Sequence, residues 1–402
     1  MKIVEINTVD YGSTGRIMFQ IADCCRKFDY EVITYSKKWM NKKSTRRNHR
    51  YYGFFIENCF DIIFSKFTSI HGIFSYFGTK KLIKELKEFS PDIIHLHNLH
   101  DRCICLPVLF NFIKSNKIKV VWTLHDCWAF TGRCPHFIMS KCNKWKNGCG
   151  QCPYPKGAYP EVIFDFSHFM WKMKRNFVTG IEDIVIVTPS EWLANNVKQS
   201  FLKNYEIKVI NNGINLNKFK PSNNKFIKDF GLENKHILLG VANPWSYRKG
   251  LDVFNELSER LDDSFRIVLV GTNSEIDQVI SKKIISIHKT DSQKDLADIY
   301  SSANIFINPT REDTYPTVNM EALACGTPVI TFDTGGSPEI IDDSCGVVVP
   351  VDDINKLIKE IIFMIDSHEY SREACIKKSL EFNEDDRYLE YLNLYKKICK
   401  ER

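Results

Sequence analysis

Ile305-Phe-Ile-Asn-Pro-Thr-Arg-Glu-Asp-Thr-Tyr-Pro-Thr-Val-Asn-Met-Glu-Ala-Leu-Ala-Cys-Gly-Thr-Pro-Val-Ile-Thr-Phe332 reads as strand, loop, helix, turn and strand. An apolar run ends at Pro309, Pro316 stands where a helix can open, and Gly326-Thr327-Pro328 stops that helix before a second apolar run. The spacing predicts a helix from Pro316 through Glu321 to Cys325, with Asp313 just ahead of it and Glu321 about two turns inside. Two short apolar strands joined by one helix form the unit of a parallel sheet.

The same rhythm runs outward in both directions. Strand-like runs at 2–7, 31–35, 92–97, 119–125 and 184–188 precede a second series at 236–242, 265–271, 284–288, 305–308, 328–332 and 347–350. The chain therefore reads as α/β, with two Rossmann-like domains facing each other across a cleft and a helical C-terminal tail. The domains are drawn at 1–203 and 204–402, because Asn211-Asn212-Gly213 and Pro221-Ser222-Asn223-Asn224 supply turn chemistry near the junction. The tail, from about residue 367, is expected to pack back on the first domain.

A chain of 402 residues with 44% apolar side chains can bury two cores. Its first residues run straight into a strand pattern without an apolar secretory stretch, and no apolar run reaches membrane-spanning length, so a cytoplasmic protein is expected. Lys and Arg outnumber acids in residues 1–200, while acids prevail afterwards, which suggests an anionic partner for the first half. Residues 37–50 hold seven Lys or Arg and no acid, and residues 51–78 are rich in Phe, Tyr and Ile. That combination suits peripheral contact with an anionic membrane surface or a slot for a lipid-linked acceptor, and equally a solvated loop before ordinary core helices. No recognised nucleic-acid-binding module accompanies it, so nucleic acid is not an expected partner.

Several residues have the chemistry of a phosphate and sugar site. A helix start offers N–H groups to phosphate, and carboxylates at Asp313 and Glu321 can accept hydrogen bonds from sugar hydroxyls. Arg248-Lys249-Gly250 places two adjacent cations at a helix start, where they can neutralise a diphosphate without a catalytic cofactor. Gly12-Ser13-Thr14-Gly15-Arg16 lies between the first strand and the first helix, another place where phosphate or acceptor meets backbone. It is not a dinucleotide fingerprint or a P-loop. His125 follows the strand ending near Leu124, and His95 and His97 share one strand face as packing or lining residues. Between residues 127 and 160, Cys134, Cys142, Cys149 and Cys152 could hold a structural zinc, with buried free thiols or disulfides as the alternatives.

Glu321-Ala322-Leu323-Ala324-Cys325-Gly326-Thr327-Pro328-Val329 resembles the signature of family 4 retaining glycosyltransferases, in which two acids are separated by seven residues. Asp313 stands at the first-acid spacing with Glu312 beside it, and Thr314-Tyr315-Pro316 replaces the family's Gly-Phe-Gly. Thr188-Pro189-Ser190-Glu191, Ile210-Asn211-Asn212-Gly213 and Gly335-Gly336-Ser337-Pro338-Glu339 resemble further family segments in order. The resemblance implies the GT-B fold and transfer from a nucleoside-diphosphate sugar to a glycan or lipid-linked acceptor, with retention, in bacterial surface-polysaccharide assembly such as capsule or colanic acid.

By the same resemblance Asp313 and His125 contact the donor sugar, Glu321 the ribose, and Arg248 and Lys249 the diphosphate. Arg248 substitutes for a family arginine whose position is taken by Pro244. Gly15, Arg16, Thr314 and Thr317 complete the expected donor set. A sugar phosphorylase or nucleotide-sugar epimerase of the same fold, and a zinc-stabilised nucleic-acid-binding protein, are the competing readings.

Overall fold

The computed structural model describes residues 1–38, 46–153, 162–223, 225–367 and 369–400. It divides into two compact units, Met1–Asn211 with Arg387–Arg402, and Asn212–Asp386. The first contains strands β1 (Lys2–Asn7), β2 (Glu31–Lys37), β3 (His49–Tyr52), β4 (Ile93–Leu96), β5 (Lys119–Thr123), β6 (Ile184–Thr188) and β7 (Glu206–Val209). They form one parallel sheet in the order β3-β2-β1-β4-β5-β6-β7.

The second contains β8 (His236–Val241), β9 (Phe265–Val270), β10 (Ile285–Ile287), β11 (Ile305–Asn308), β12 (Val329–Phe332) and β13 (Gly346–Val349), parallel in the order β10-β9-β8-β11-β12-β13. The two α/β domains with a helical C-terminal tail are thus present.

The division falls after β7, whose ladder with β6 keeps residues 206–209 in the first sheet, and so lies beyond the 203/204 boundary. Edge strands β3 and β7 were not foreseen. Each is short and half-exposed, so neither has the continuous apolar run of a buried central strand. Elsewhere alternation sends side chains to opposite faces. Ile3 packs with Ile17, Val32 and Ile93, whereas Val4 and Ile6 pack on the other face with Tyr35 and Leu96. In the second unit Leu239 and Phe306 face one way, and Leu238 and Ile305 the other.

The last helix, Glu384–Lys400, buries Tyr391 and Tyr395 in the first unit. The Tyr395 hydroxyl lies 2.6 Å from His95 Nδ1, and the Tyr391 hydroxyl 3.1 Å from Thr123 Oγ1. The hydroxyls explain why tyrosine, an aromatic with a polar tip, occupies this buried face.

Helix α1 spans Gly12–Lys27, α2 Phe55–Thr68 and α3 Tyr76–Phe89. α2 is turned inside out. It buries Glu57, Asn58, Asp61, Ser65 and Thr68, and exposes Phe55, Ile56, Phe60, Ile63 and Phe67. Glu57 accepts from the N–H groups of Phe77 (2.7 Å) and Gly78 (3.0 Å) at the start of α3. Asp61 accepts from the Phe74 N–H (3.0 Å) and the Ser75 hydroxyl (2.6 Å), with Lys37 Nζ 3.8 Å away.

Lys37, read as part of a basic loop, is therefore a buried residue of β2, because Ser75 and Asp61 satisfy its ammonium. Residues 39–45 of that basic stretch lie outside the described residues. Among the described residues no helix is long and apolar enough to cross a membrane.

Candidate active site

In each sheet the strand order reverses at one place, β1/β4 in the first and β8/β11 in the second. Ligands of open parallel sheets sit beyond the strand ends at such switch points. In the second unit the Tyr247–Lys249 turn follows β8, and residues 309–316 follow β11. The two segments are stitched together. The Arg311 N–H donates to the Arg248 carbonyl (2.8 Å), and Arg248 Nη1 donates to the Glu312 carbonyl (2.9 Å).

Lys249 Nζ lies 2.6 Å from Asp313 Oδ2, both side chains being roughly one-fifth exposed (19% and 18%). Of the two candidate first acids it is therefore Asp313 whose carboxylate meets Lys249, while Glu312 lends its carbonyl to Arg248. Gly335 lies against the backbone of Asp313. At φ +57°, a Cβ on it would come within 1.7 Å of the Asp313 carbonyl oxygen, so the Gly-Gly turn is required by close approach.

The helix after β11 is Thr317–Ala324, with Pro316 as its cap in an extended conformation. Glu321 consequently stands one turn inside the helix and not two. Pro316 takes the cap position and helical backbone begins only at Thr317. Glu321 is 3% exposed and accepts from the Tyr300 hydroxyl (3.3 Å). Thr314 is buried and Thr317, the first helical residue, is half-buried.

Sequence reasoning missed Arg311. Its buried guanidinium donates to both carboxylate oxygens of Asp252 (2.8 Å each) and to Asp352 Oδ1 (2.8 Å), and lies 3.8 Å from the Tyr247 ring centre. Burial opposes its charge, but the two carboxylates outweigh burial and hold the group protonated. It ties the Arg248–Lys249 turn to the loop that carries Asp313. No local signal separates it from Arg248, since both partners are distant in sequence.

In the first unit, Gly12–Arg16 form the opening turn of α1 and are not a loop before it. Tyr11 is already the helix cap, so the turn begins one residue after it. Gly15 is buried and its N–H donates to the Tyr11 carbonyl at 3.3 Å, while Arg16 is half-buried.

His125 follows β5, and its Nε2 is 3.0 Å from His97 Nδ1, the rings stacked at 5.3 Å. His97 Nε2 is 3.3 Å from Glu5 Oε2, and His95 pairs with Thr123 and Tyr395. Burial pushes His125 down to about 4 and holds His95 and His97 well below the usual range, so all three rings are neutral. Burial acts against His100 as well, yet Asp126 and Asp101 outweigh it and raise His100 to about 10. Glu5, His95 and His97 are the one group of three candidate metal ligands within 4.8 Å of each other among the described residues, and their ring nitrogens already have partners.

Cys134, Cys142, Cys149 and Cys152 line one cavity. The rest of the expected cysteine-rich insert, residues 154–160, lies outside the described residues.

Residues 14–218 match the family model described as Glycosyltransferase Family 4, and residues 235–367 the model described as Glycosyl transferases group 1. WcaC of Escherichia coli (strain K12), a glycosyl transferase assigned to colanic acid biosynthesis, is 25% identical over 77% of each chain. The N,N'-diacetylbacillosaminyl-diphospho-undecaprenol alpha-1,3-N-acetylgalactosaminyltransferase of Campylobacter jejuni is 27% identical over 50% of this chain and 56% of its own. The solved structure of Anabaena HepE in complex with UDP has a TM-score of 0.69 at 15% identity, over 99% of this chain and 100% of that one, a likeness of fold. With one model covering half of the chain and a second matching residues 235–367, the protein is a nucleotide-sugar-dependent glycosyltransferase and belongs to glycosyltransferase family 4.

Proposed function

We propose that this enzyme moves a glycosyl group from a nucleoside-diphosphate sugar to a glycan or lipid-linked acceptor, with retention, in the assembly of a bacterial surface polysaccharide. The observation that carries this reading is the Lys249–Asp313 pair at the β8/β11 switch point, with buried Glu321 one turn inside the helix that follows. Lys249, Arg248 and the amides at the start of helix Thr317–Ala324 meet the diphosphate, and their interaction strengthens as charge builds on the leaving group. Thr314 and Thr317 add hydroxyl donors beside those amides.

Phosphate oxygens compete with Asp313 for Lys249, and the displaced carboxylate turns to the sugar hydroxyls. Glu321 accepts from the ribose. Neutral His125 hydrogen-bonds the sugar without repelling the positive character that develops at the anomeric carbon. Gly15 and Arg16 offer backbone and charge to phosphate or acceptor. The cysteine segment supplies no catalytic step. The relatives' names support the choice of acceptor, one acting in colanic acid biosynthesis and one on a diphospho-undecaprenol sugar; the UDP-bound neighbour supports a uridine donor. A panel of nucleotide sugars offered to purified enzyme with a lipid-linked acceptor tests this. The expected product keeps the donor's anomeric configuration by NMR coupling constants, and an inverted product overturns the reading.

An anionic membrane surface is the second partner in this proposal, reached from the cytoplasmic side. Between residues 54 and 84 both acids, Glu57 and Asp61, are buried, whereas Lys66, Lys80, Lys81 and Lys84 are exposed, Lys80 4.9 Å from the Tyr76 ring centre and Lys81 5.9 Å from that of Phe54. Apolar side chains ringed by lysines match acyl chains under anionic headgroups. Flotation with phosphatidylglycerol vesicles is expected to recover the protein in a salt-sensitive way. Phe55→Ser with Phe60→Ser should lower partitioning about tenfold or more, given roughly 1.5–3 kcal/mol for each fully buried aromatic. Equal flotation of the variant and the parent rejects this face.

A further inference from the structure

The stretch from Gly132 to Pro153 contains a single short 3-10 turn, Lys144–Lys146, yet it is pinned against the first unit's core through Trp145 and Phe137. Within it lies an electrostatic imbalance. Arg133 is 2% exposed, and none of its Nε, Nη1 and Nη2 groups has a hydrogen-bond partner among the described residues. Lys174, 1% exposed, donates to the carbonyls of Trp128 (2.6 Å) and Thr131 (2.9 Å), and no carboxylate pairs with it among the described residues. Neither cation has a carboxylate at salt-bridge distance among the described residues, Asp165 acting on Arg133 and Asp126 on Lys174 only at longer range, and charge buried with such weak pairing is costly.

Four thiols gather beside these cations. Arg133 lines the same cavity as Cys134, Cys142, Cys149 and Cys152, and Lys174 interacts electrostatically with Cys149, Asp126 and Cys134. Cys134 and Cys152 share a hydrogen bond between their sulfurs, and Cys149 Sγ accepts from the Gly132 N–H at 3.1 Å. The cavity measures about 20 Å³, room for one water or one ion.

We propose that Cys134, Cys142, Cys149 and Cys152 bind one zinc ion as a tetrathiolate, with Arg133 and Lys174 as its buried counter-cations. Four S–H groups lose their protons to solvent and four Zn–S bonds form. The four thiolates and Zn²⁺ together carry two negative charges, which the guanidinium and the ammonium balance. No three of these sulfurs lie within 4.8 Å of one another among the described residues, so metal binding closes the set by side-chain rotation. The ion is structural. It replaces the hydrogen-bonded elements that this segment lacks, and it stands apart from the transfer chemistry.

Elemental analysis of the full chain, purified without chelator, is expected to find one zinc per chain. Zinc transfer to a chromogenic chelator should be about 10–100-fold faster in Arg133→Met, the usual scale for losing a supporting group around a metal site. Arg133→Lys should restore slow release, and Cys152→Ser should fall well below one zinc per chain. A parent protein without zinc overturns the site, whether its four thiols alkylate freely or its mass reports two disulfides. A release rate unchanged by Arg133→Met overturns the counter-cation role. Neither measurement depends on turnover, so the result is independent of the proposed reaction.

Discussion

Lys249→Ala is expected to lower turnover of the nucleotide-sugar donor by about 10²–10³-fold, the cost of removing one preorganised donor from a developing oxyanion, roughly 2.7–4 kcal/mol. Among the described residues its side chain bonds to Asp313, and the group is partly exposed, so folding should be little affected. Glu321→Gln should raise the donor KM more than it lowers kcat, since a ribose contact is made equally in ground and transition states. Arg248→Ala should have the smaller effect, because Arg248 Nη1 is already engaged by the Glu312 carbonyl. Initial rates over a range of donor concentration, with thermal melting as the folding control, read all three. Lys249→Ala within threefold of the parent would show that the diphosphate lies elsewhere.

Acid is expected to unfold the first unit well before carboxylate titration alone would. His49 and His125 are held at about 4, His71 at about 3, and His95 and His97 well below the usual range, in each case chiefly by burial. All five lie in the first unit. Each stays neutral in the folded chain, whereas the unfolded chain binds a proton near pH 6.5. Stability is therefore full above the unfolded value and falls as pH drops from about 6.5 toward 4, by about 3 kcal/mol for each ring held at about 4.

Glu5 and Asp61 work in the opposite sense, since burial raises both carboxyls and the folded state binds their protons more tightly. Two such groups do not offset five rings. His100, raised to about 10, contributes stability that is complete below pH 6.5 and adds no slope in this window. A loss of several kcal/mol is comparable to the whole stability of a domain. Calorimetry from pH 7 to pH 4 should show a steep fall in the midpoint of the first unit's transition, with proton uptake on unfolding. A midpoint constant across that range would mean that these rings are not buried neutral.

Much of the fold was legible in the sequence because its signals are local. Central strands announce themselves as apolar runs bounded by Gly and Pro, and the segment Glu321–Val329 has the spacing of a helix that feeds a strand. The candidate site was legible as far as its residues belong to that segment or to Arg248-Lys249. What escaped depends on partners far along the chain. Arg311 acquires its role from Asp252 and Asp352, and His125 acquires its neutrality from the burial of its surroundings. The helix boundary at Thr317, which moved Glu321 one turn, was decided by an extended Pro316 that a Pro-at-helix-start rule does not separate from a helical one.

α2 shows the division most clearly. By itself the sequence showed that residues 51–78 are rich in Phe, Tyr and Ile, which suited membrane contact and core helices alike, since the spacing of Phe55, Ile56, Phe60, Ile63 and Phe67 is the same whichever way a helix is turned. Tertiary structure decided which side faces in. Glu57 caps the start of α3, Asp61 meets Ser75 and Lys37, and those bonds would be lost if the apolar face rolled inward. A helical period reports that a stripe exists, while the direction in which it points depends on what the rest of the chain places opposite it.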